Sequence, residues 1–500
     1  IPAGAEIYDA EGMTIMPAFI DGHCHWEHFW GELYIHFGIT TCVSTQTRQN
    51  GPWVLAQKRA IELGKIRGPR IWATGTALGE NPDIVHEIKN QRITVRRYID
   101  IPDAETARAV VRQKRIDGYE AIKVTEFLPS ELLKIVVEEA HAQGMGVIGH
   151  SWDVVATAAT GIDSIEHIWS VGYSSILDVE RRNHMAVERT EGRLEAEVMA
   201  ARYETENFDI VIDAFVRNGT AWTPTVAKFV RPFSRYADRF WEREQEILNN
   251  PDANLPADVR SITEYTTTKL MEEYSPEDRE AARIGFEKSL EFIRRFDEAG
   301  GTIKEGSDAS RGMAAIMMHE GLAMDVEAGV PPMRAIQAAT INVARVYHKA
   351  NDYGSVEVGK VADLSIVGGN PLDDIWMTQN VKLVVKDGRL MDPAFTGQVN
   401  PIPELDSWST MPQRILVLPG SLIQGEGPTE LTLYGDGIWP HHQIYINEQP
   451  LETRYISKEE LRATLPAEMI ADVGMYKITV RSKGEPNPQS MPAPLVVGYR

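Results

Sequence analysis

Cysteine is almost missing from this 500-residue chain: only Cys24 and Cys42 occur, which excludes a disulfide framework of the kind that staples small secreted modules. Cys24 stands between two histidines with a better claim to function, and neither thiol is assigned a role. Long apolar runs are also missing, and none reaches the roughly 20 residues that a membrane-crossing helix needs. Positive charge is in deficit, with 51 Lys+Arg against 72 Asp+Glu and a formal net charge of -21. Nucleic acid and anionic membrane surfaces call for clustered basic residues, so neither is expected as a partner. The chain opens on Ile1 rather than Met, from which an upstream segment such as a signal peptide is expected.

What is present is enough chain for a catalytic domain of barrel size and at least one smaller domain. Short β-rich runs alternate with helix-patterned stretches, the mark of βαβ units and a parallel sheet. The runs are Ala18 to His23, Ile39 to Thr45, Arg70 to Thr76, Ala121 to Thr125, Gly146 to His150, Asp163 to His167, Ala221 to Val226 and Thr302 to Asp308. Eight such strands predict an α/β fold with a closed (β/α)8 TIM barrel, over residues 17–349. Helical spacing of apolar residues recurs between them, in Ala104 to Arg115 and Pro129 to Ala142. Gly172 to Arg217 and Lys228 to Arg283 exceed a minimal barrel and are expected as helical insertions. Phe229, Phe233, Tyr236, Phe240 and Trp241 are candidates for a pocket wall, with ordinary helix packing the favoured alternative.

Residues 1–16 and 350–393 read as short strands with tight turns that pair beside the barrel as a small β-sandwich. After Pro393 the texture changes. Alternating strands are predicted at Glu430 to Tyr434, Gln443 to Ile446, Leu461 to Leu465 and Tyr476 to Val480, an all-β, immunoglobulin-like pattern over residues 401–500. His441 and His442 fall on a predicted loop and are expected to be solvated.

The chemistry sits at strand ends, where barrels of this kind place catalysis. His23 and His25 are two apart on an extended run, so both imidazoles point the same way and can reach one ion. Lys123, His150, His167 and Asp308 each end a further strand. Each has a blander reading alone: Lys123 paired with Glu126, the histidines hydrogen-bonded in the core, Asp308 capping the next helix. Together, at one rim, they favour a metal centre. A lysine inside a barrel must lose its charge or find a partner, and carboxylation by carbon dioxide would make Lys123 an anionic bridging ligand. His319 and Glu320 are expected in supporting roles, His184 at the surface, and Glu166 and Trp152 as neighbours of the ligands.

With these residues in view, the chain resembles the amidohydrolase superfamily, close to its imidazolonepropionase-like and prolidase-like branch with a carboxylated lysine, over Ile1 to Pro393. The motifs are Pro-Ala-Phe-Ile-Asp-Gly-His-Cys-His at 17–25, Ala-Ile-Lys-Val at 121–124, Thr-Gly-Ile-Asp-Ser-Ile-Glu-His at 160–167, Gly-Ser-Asp at 306–308 and Gly-Lys-Val-Ala-Asp-Leu at 359–364. The resemblance implies two divalent metal ions, zinc by default. His23, His25 and Asp308 would hold the more buried one, His150 and His167 the other, with carboxylated Lys123 as bridge. Ser307, Ala309 and Ser310 depart from the usual surroundings of the aspartate, and Val43-Ser44 stands where an arginine-aspartate pair is common. The C-terminal segment resembles the IPT/TIG class of immunoglobulin-like domains through Pro-Gly-Ser-Leu at 419–422, Leu-Thr-Leu-Tyr-Gly-Asp-Gly at 431–437 and Tyr-Lys-Ile-Thr-Val at 476–480.

The expected activity is hydrolysis of the amide C–N bond of a peptide-like or N-acyl amino acid substrate by a hydroxide shared between the two metals, with Asp308 relaying its proton. A lactonase, phosphotriesterase or carbamate hydrolase on the same centre is the first rival, and a noncatalytic binding protein the second. The C-terminal module implies a secreted or periplasmic protein, with cytoplasmic as the alternative, and surface or carbohydrate contact. A homo-oligomer is a further possibility.

Overall fold

The computed structural model describes residues 7–45, 51–79, 85–88, 91–94, 99, 101–126, 128–190, 196–251, 263, 274–309 and 312–396, and then 415–419, 421–424, 427–435, 438, 440, 442–457, 460–472, 474–482 and 493–498. Strand β1 (Met13–Pro17) lies at one margin. Strands β2 (Phe19–Cys24), β3 (Ile39–Thr45) and β4 (Arg70–Gly75) form one parallel sheet, and β5 (Ala121–Val124), β6 (Gly146–Gly149), β7 (Ser164–Glu166) and β8 (Ala221–Thr223) another. All seven of these strands are buried along nearly their whole length, as parallel strands covered on both sides are.

Hydrogen bonds join the two sheets at both margins. Past β4, Leu78 N donates to Lys123 O (2.8 Å) and Thr125 N to Leu78 O (2.9 Å). At the other margin Trp222 N donates to Thr302 O (2.9 Å), Lys304 N to Trp222 O (2.8 Å), Gly22 N to Glu305 O (2.9 Å) and Asp308 N to His23 O (2.7 Å). The segment expected as an eighth strand, Thr302 to Asp308, is therefore extended between β8 and β2, but only Ile303 forms a regular bridge. The close approach at Gly306 and the left-handed backbone of Asp308 (φ 45°) break the ladder there.

The helix Ala104–Asp117 shows how local sequence sets these boundaries. Asp103 accepts a hydrogen bond from Thr106 N (2.8 Å) as N-cap, Ala107 and Val111 turn inward, and Gly118 at φ 97° ends the helix. The stretches expected as insertions are mainly helical where described, including Ile168–Ser175, Val179–Thr190, Phe208–Asn218 and Ala237–Leu248. Phe240 is buried, and Tyr236 and Phe240 lie against Trp376 with ring centroids 6.3 and 5.6 Å away, which is packing rather than a pocket wall. The side chain of Phe229 lies outside what is described.

β1 pairs antiparallel with β9 (Leu364–Gly368), which continues to β10 (Val381–Lys386) and β11 (Arg389–Met391). Beyond residue 414, one four-stranded and one five-stranded sheet share a core of Leu431, Leu433, Ile444, Leu461, Ile478, Val480 and Leu495. His442 corrects an expectation. It opens the strand His442–Ile446 and is 3% exposed, because the inward alternation begins one residue earlier than its neighbours suggest; His441 lies outside the described residues.

Candidate metal centre

Every sequence candidate lies in the last residues of a strand, or just past a strand or extended segment. His23 is buried near the end of β2 and His25 follows it, three-quarters covered. Lys123 is inside β5, His150 follows β6, His167 follows β7, and Asp308 ends the extended segment beside β2. His23, His167 and Asp308 offer ligand atoms that all lie within 4.8 Å of one another.

Asp308 is the meeting point. Its Oδ1 lies 2.9 Å from His25 Nε2 and 3.8 Å from His23 Nε2, and its Oδ2 lies 3.4 Å from His167 Nδ1. His167 Nε2 faces His150 Nε2 at 3.1 Å. Three residues here have left-handed backbones despite carrying side chains: His167 (φ 71°), Thr225 (φ 49°) and Asp308 (φ 45°). Each costs on the order of 1 kcal/mol, strain of the sort that collects where side chains must be aimed. The Thr225 hydroxyl is hydrogen-bonded to His167 Nδ1 at 2.8 Å.

Supporting groups orient the imidazoles, as such shells do around metal ligands. Glu166 is hydrogen-bonded to His23 Nδ1 and accepts from Lys304 Nζ at 3.1 Å. Glu126 is hydrogen-bonded to His150 Nδ1 at 3.0 Å, and its charge also acts on Lys123. Trp169 stacks on His167 with centroids 5.6 Å apart and meets His150 edge-on at 4.9 Å. Asp21, buried under the site, takes hydrogen bonds from Ser307 Oγ (2.6 Å) and Tyr34 (2.8 Å). Helix capping is not the role of Asp308, since the next helix, Ala314–Ala328, starts from Met313.

Burial dominates the electrostatics. Desolvation pushes His23 down to about 3, with Lys123 adding to the effect and Glu166 opposing it. His167 is lowered well below its ordinary value by desolvation, against the pull of Asp308. Both shifts favour the neutral imidazole, the form that binds metals. Burial alone would raise the Asp308 carboxyl, but Lys228, His167 and His25 hold it well below the usual carboxylate range. Lys123 is 2% exposed, its Nζ has no hydrogen-bond partner among the described residues, and desolvation brings it down to about 8.

Sequence reasoning missed Lys228, whose Nζ donates to Asp308 Oδ2 at 2.6 Å. It gave Glu166 and Glu126 no supporting role. Glu166 carried a usable signal, a carboxylate inside an apolar run. His319 is hydrogen-bonded through its two ring nitrogens to Thr378 Oγ1 and Phe37 O, both at 2.9 Å, and Glu320 pairs with Arg231, so both are structural. His184 is 69% exposed.

Residues 248–391 match the sequence profile of the Amidohydrolase family. A stretch of 114 residues, 19% of the chain, is 30% identical to an imidazolonepropionase of Geobacillus sp. (strain WCH70) and spans only 26% of that protein. Among solved structures, a Xaa-Pro dipeptidase with methionine bound in its active site superposes with a TM-score of 0.51 at 24% identity, covering 76% of this chain and 87% of that one. The chain likewise shares the α/β fold of a putative prolidase from Bifidobacterium longum, with a TM-score of 0.52 and 23% identity over 78% of this chain and 84% of the other.

Proposed function

We propose that the chain is a metal-dependent hydrolase of amide C–N bonds, with a centre for two divalent ions inside a closed (β/α)8 barrel. His23, His25 and Asp308 would hold one ion, His150 and His167 the other, and Lys123, carboxylated by carbon dioxide, both. The observation that carries this reading is the convergence of imidazoles and a carboxylate beside a buried lysine amine that makes no hydrogen bond to any described residue. A donor set of imidazole and carboxylate suits zinc and its first-row neighbours. An amine lowered toward neutrality is also the form that reacts with carbon dioxide.

Such ions, when bound, polarise a carbonyl and make water nucleophilic near neutral pH. The chain's own residues supply the rest. Asp308, held by Lys228 and by its hydrogen bond with His25, is placed to accept a proton from the attacking water and return it to the leaving nitrogen. Glu166 and Glu126 fix the ring orientations of His23 and His150, and Trp169 walls His150 and His167 against water. The matched family segment and the barrel-like circuit of hydrogen bonds support the hydrolase reading. The dipeptidase and prolidase among the structural relatives motivate a peptide-like or N-acyl amino acid substrate. We read the C-terminal pair of sheets as an immunoglobulin-like unit.

The test is turnover of a panel of Xaa-Pro dipeptides, N-acyl amino acids, carbamates, lactones and phosphotriesters by protein supplied with zinc and bicarbonate. Amide hydrolysis that is abolished by a chelator and by Lys123→Ala is expected. Chelator-insensitive turnover, or turnover confined to lactones or phosphotriesters, would overturn the amide reading.

A further inference from the structure

We propose a second divalent-cation site, made by His141, Asp163 and His348 at the opposite ends of the strands from the centre described above. It would take zinc or a similar first-row ion of borderline softness.

The three residues come from separate elements. His141 is in the last turn of the helix Ser130–Ala142, Asp163 immediately precedes β7, and His348 follows the helix Ile341–Val346. Their side chains converge: His141 Nε2 is 2.9 Å from Asp163 Oδ2 and His348 Nε2 is 3.0 Å from Asp163 Oδ1. One ligand atom from each lies within 4.8 Å of the others. In a tetrahedral zinc site with Zn–N and Zn–O near 2.0–2.2 Å, neighbouring ligand atoms stand about 3.3 Å apart. The two contacts to Asp163, one on each carboxylate oxygen, are near that spacing, and the two imidazole rings lie 5.0 Å apart, so an ion seated between the rings and the carboxylate would replace the two hydrogen bonds. The Nε2 protons would move to Nδ1 or to solvent as the ring nitrogens become ligands.

Two further features hold these side chains in place for an ion. The Asp163 carboxylate is held by a hydrogen bond from Val147 N (2.7 Å), an anchor of the kind metal-ligating carboxylates have. His348 has φ 57° because it ends the helix Ile341–Val346, with His348 N donating to Arg345 O (3.0 Å) and Lys349 N to Ala344 O (2.7 Å), and this same turn brings its imidazole to Asp163. Solvent reaches the cluster: the side chains of His141, His348 and Asp163 are 37%, 31% and 15% exposed. This leaves a face open for a water as fourth ligand. An ion there would tie the two helix ends to the base of β7.

The experiment counts metal in the full chain. Wild type, His348→Gly and His141→Gln are saturated with zinc, dialysed and analysed for zinc per chain, and the same series is repeated with cobalt(II) to read its d–d absorption. Glycine at position 348 relieves the backbone strain, which guards that variant against misfolding. The expected result is about one zinc equivalent fewer in both variants, a missing cobalt band, and a zinc-induced rise in Tm seen in wild type and lost in His348→Gly. Equal zinc content and identical cobalt spectra in all three proteins would overturn the site. The difference between wild type and variants is independent of how many ions the buried centre holds.

Discussion

Lys228 donates a 2.6 Å hydrogen bond from Nζ to Oδ2 of Asp308, the carboxylate that His25 engages through its other oxygen. The side chain follows β8 on the helix Ala227–Val230 and is 14% exposed, while Asp308 is 2% exposed. Its ammonium occupies an oxygen that a divalent ion would claim. Hydrogen bonds to charged groups are worth about 1.5–3 kcal/mol, so Lys228→Met is expected to tighten binding of the first zinc by about tenfold or more, measured by competition with a chromophoric chelator. Unchanged or weaker binding would show that Lys228 does not compete with the ion.

Glu126 prepares the other imidazole pair through its bond to His150 Nδ1, which directs Nε2 toward His167. Removing such a supporting partner costs about 10- to 100-fold in metal affinity or activity. Glu126→Gln keeps the size and the hydrogen bond but loses the charge, and it is expected to fall at the lower end of that range, with Glu126→Ala at the upper end. Elemental analysis after graded chelation would check the order, and equal retention of metal by both variants would refute it.

Much of this centre was legible from the order of residues because each candidate ends an apolar β run, and parallel strands deliver such residues to one rim. Lys228 was not legible: it lies 80 residues from Asp308 on a short helix with no periodic pattern. Glu126 was visible as a charged neighbour of Lys123, but strand geometry alone does not say that it turns to His150. The extended segment at Ile303 was readable as a strand, whereas its departure from the ladder depends on contacts with β2. The tilt of His442 inward failed for a local reason, since the preceding Trp439-Pro440 reads as loop and hides where alternation starts.

Gly306 exposes the dependence of the centre on backbone contact. A Cβ there would stand 2.5 Å from His23 N and 2.6 Å from His23 Cβ, and neither neighbour is a flexible side-chain end. The same stretch carries Asp308, which donates its N–H to His23 O. Overpacking of this type costs about 1–3 kcal/mol. Gly306→Ala is therefore expected to lower Tm and to weaken zinc binding together, because His23 and Asp308 are driven apart. A variant that loses stability while keeping wild-type zinc affinity would separate the two effects and contradict this account.

Glu305 and Asp325 form a buried acid pair, and desolvation raises both carboxyls, Asp325 to about 8 and Glu305 well above its ordinary value, with the charge of Asp325 adding to the rise at Glu305. In the unfolded chain both lose their protons near pH 4, so between about pH 4 and 8 the folded state binds more protons than the unfolded one. Stability from this pair is accordingly greatest on the acid side and declines as pH rises through that window, by up to about 1.4 kcal/mol per pH unit for each group. Asp325→Asn removes one of the two titrations. Urea denaturation at pH 5.5, 6.5 and 7.5, about two pH units in all, is expected to show the variant gaining on wild type at each step upward. A constant difference between the two proteins across the series would mean that Asp325 is ionised in the fold.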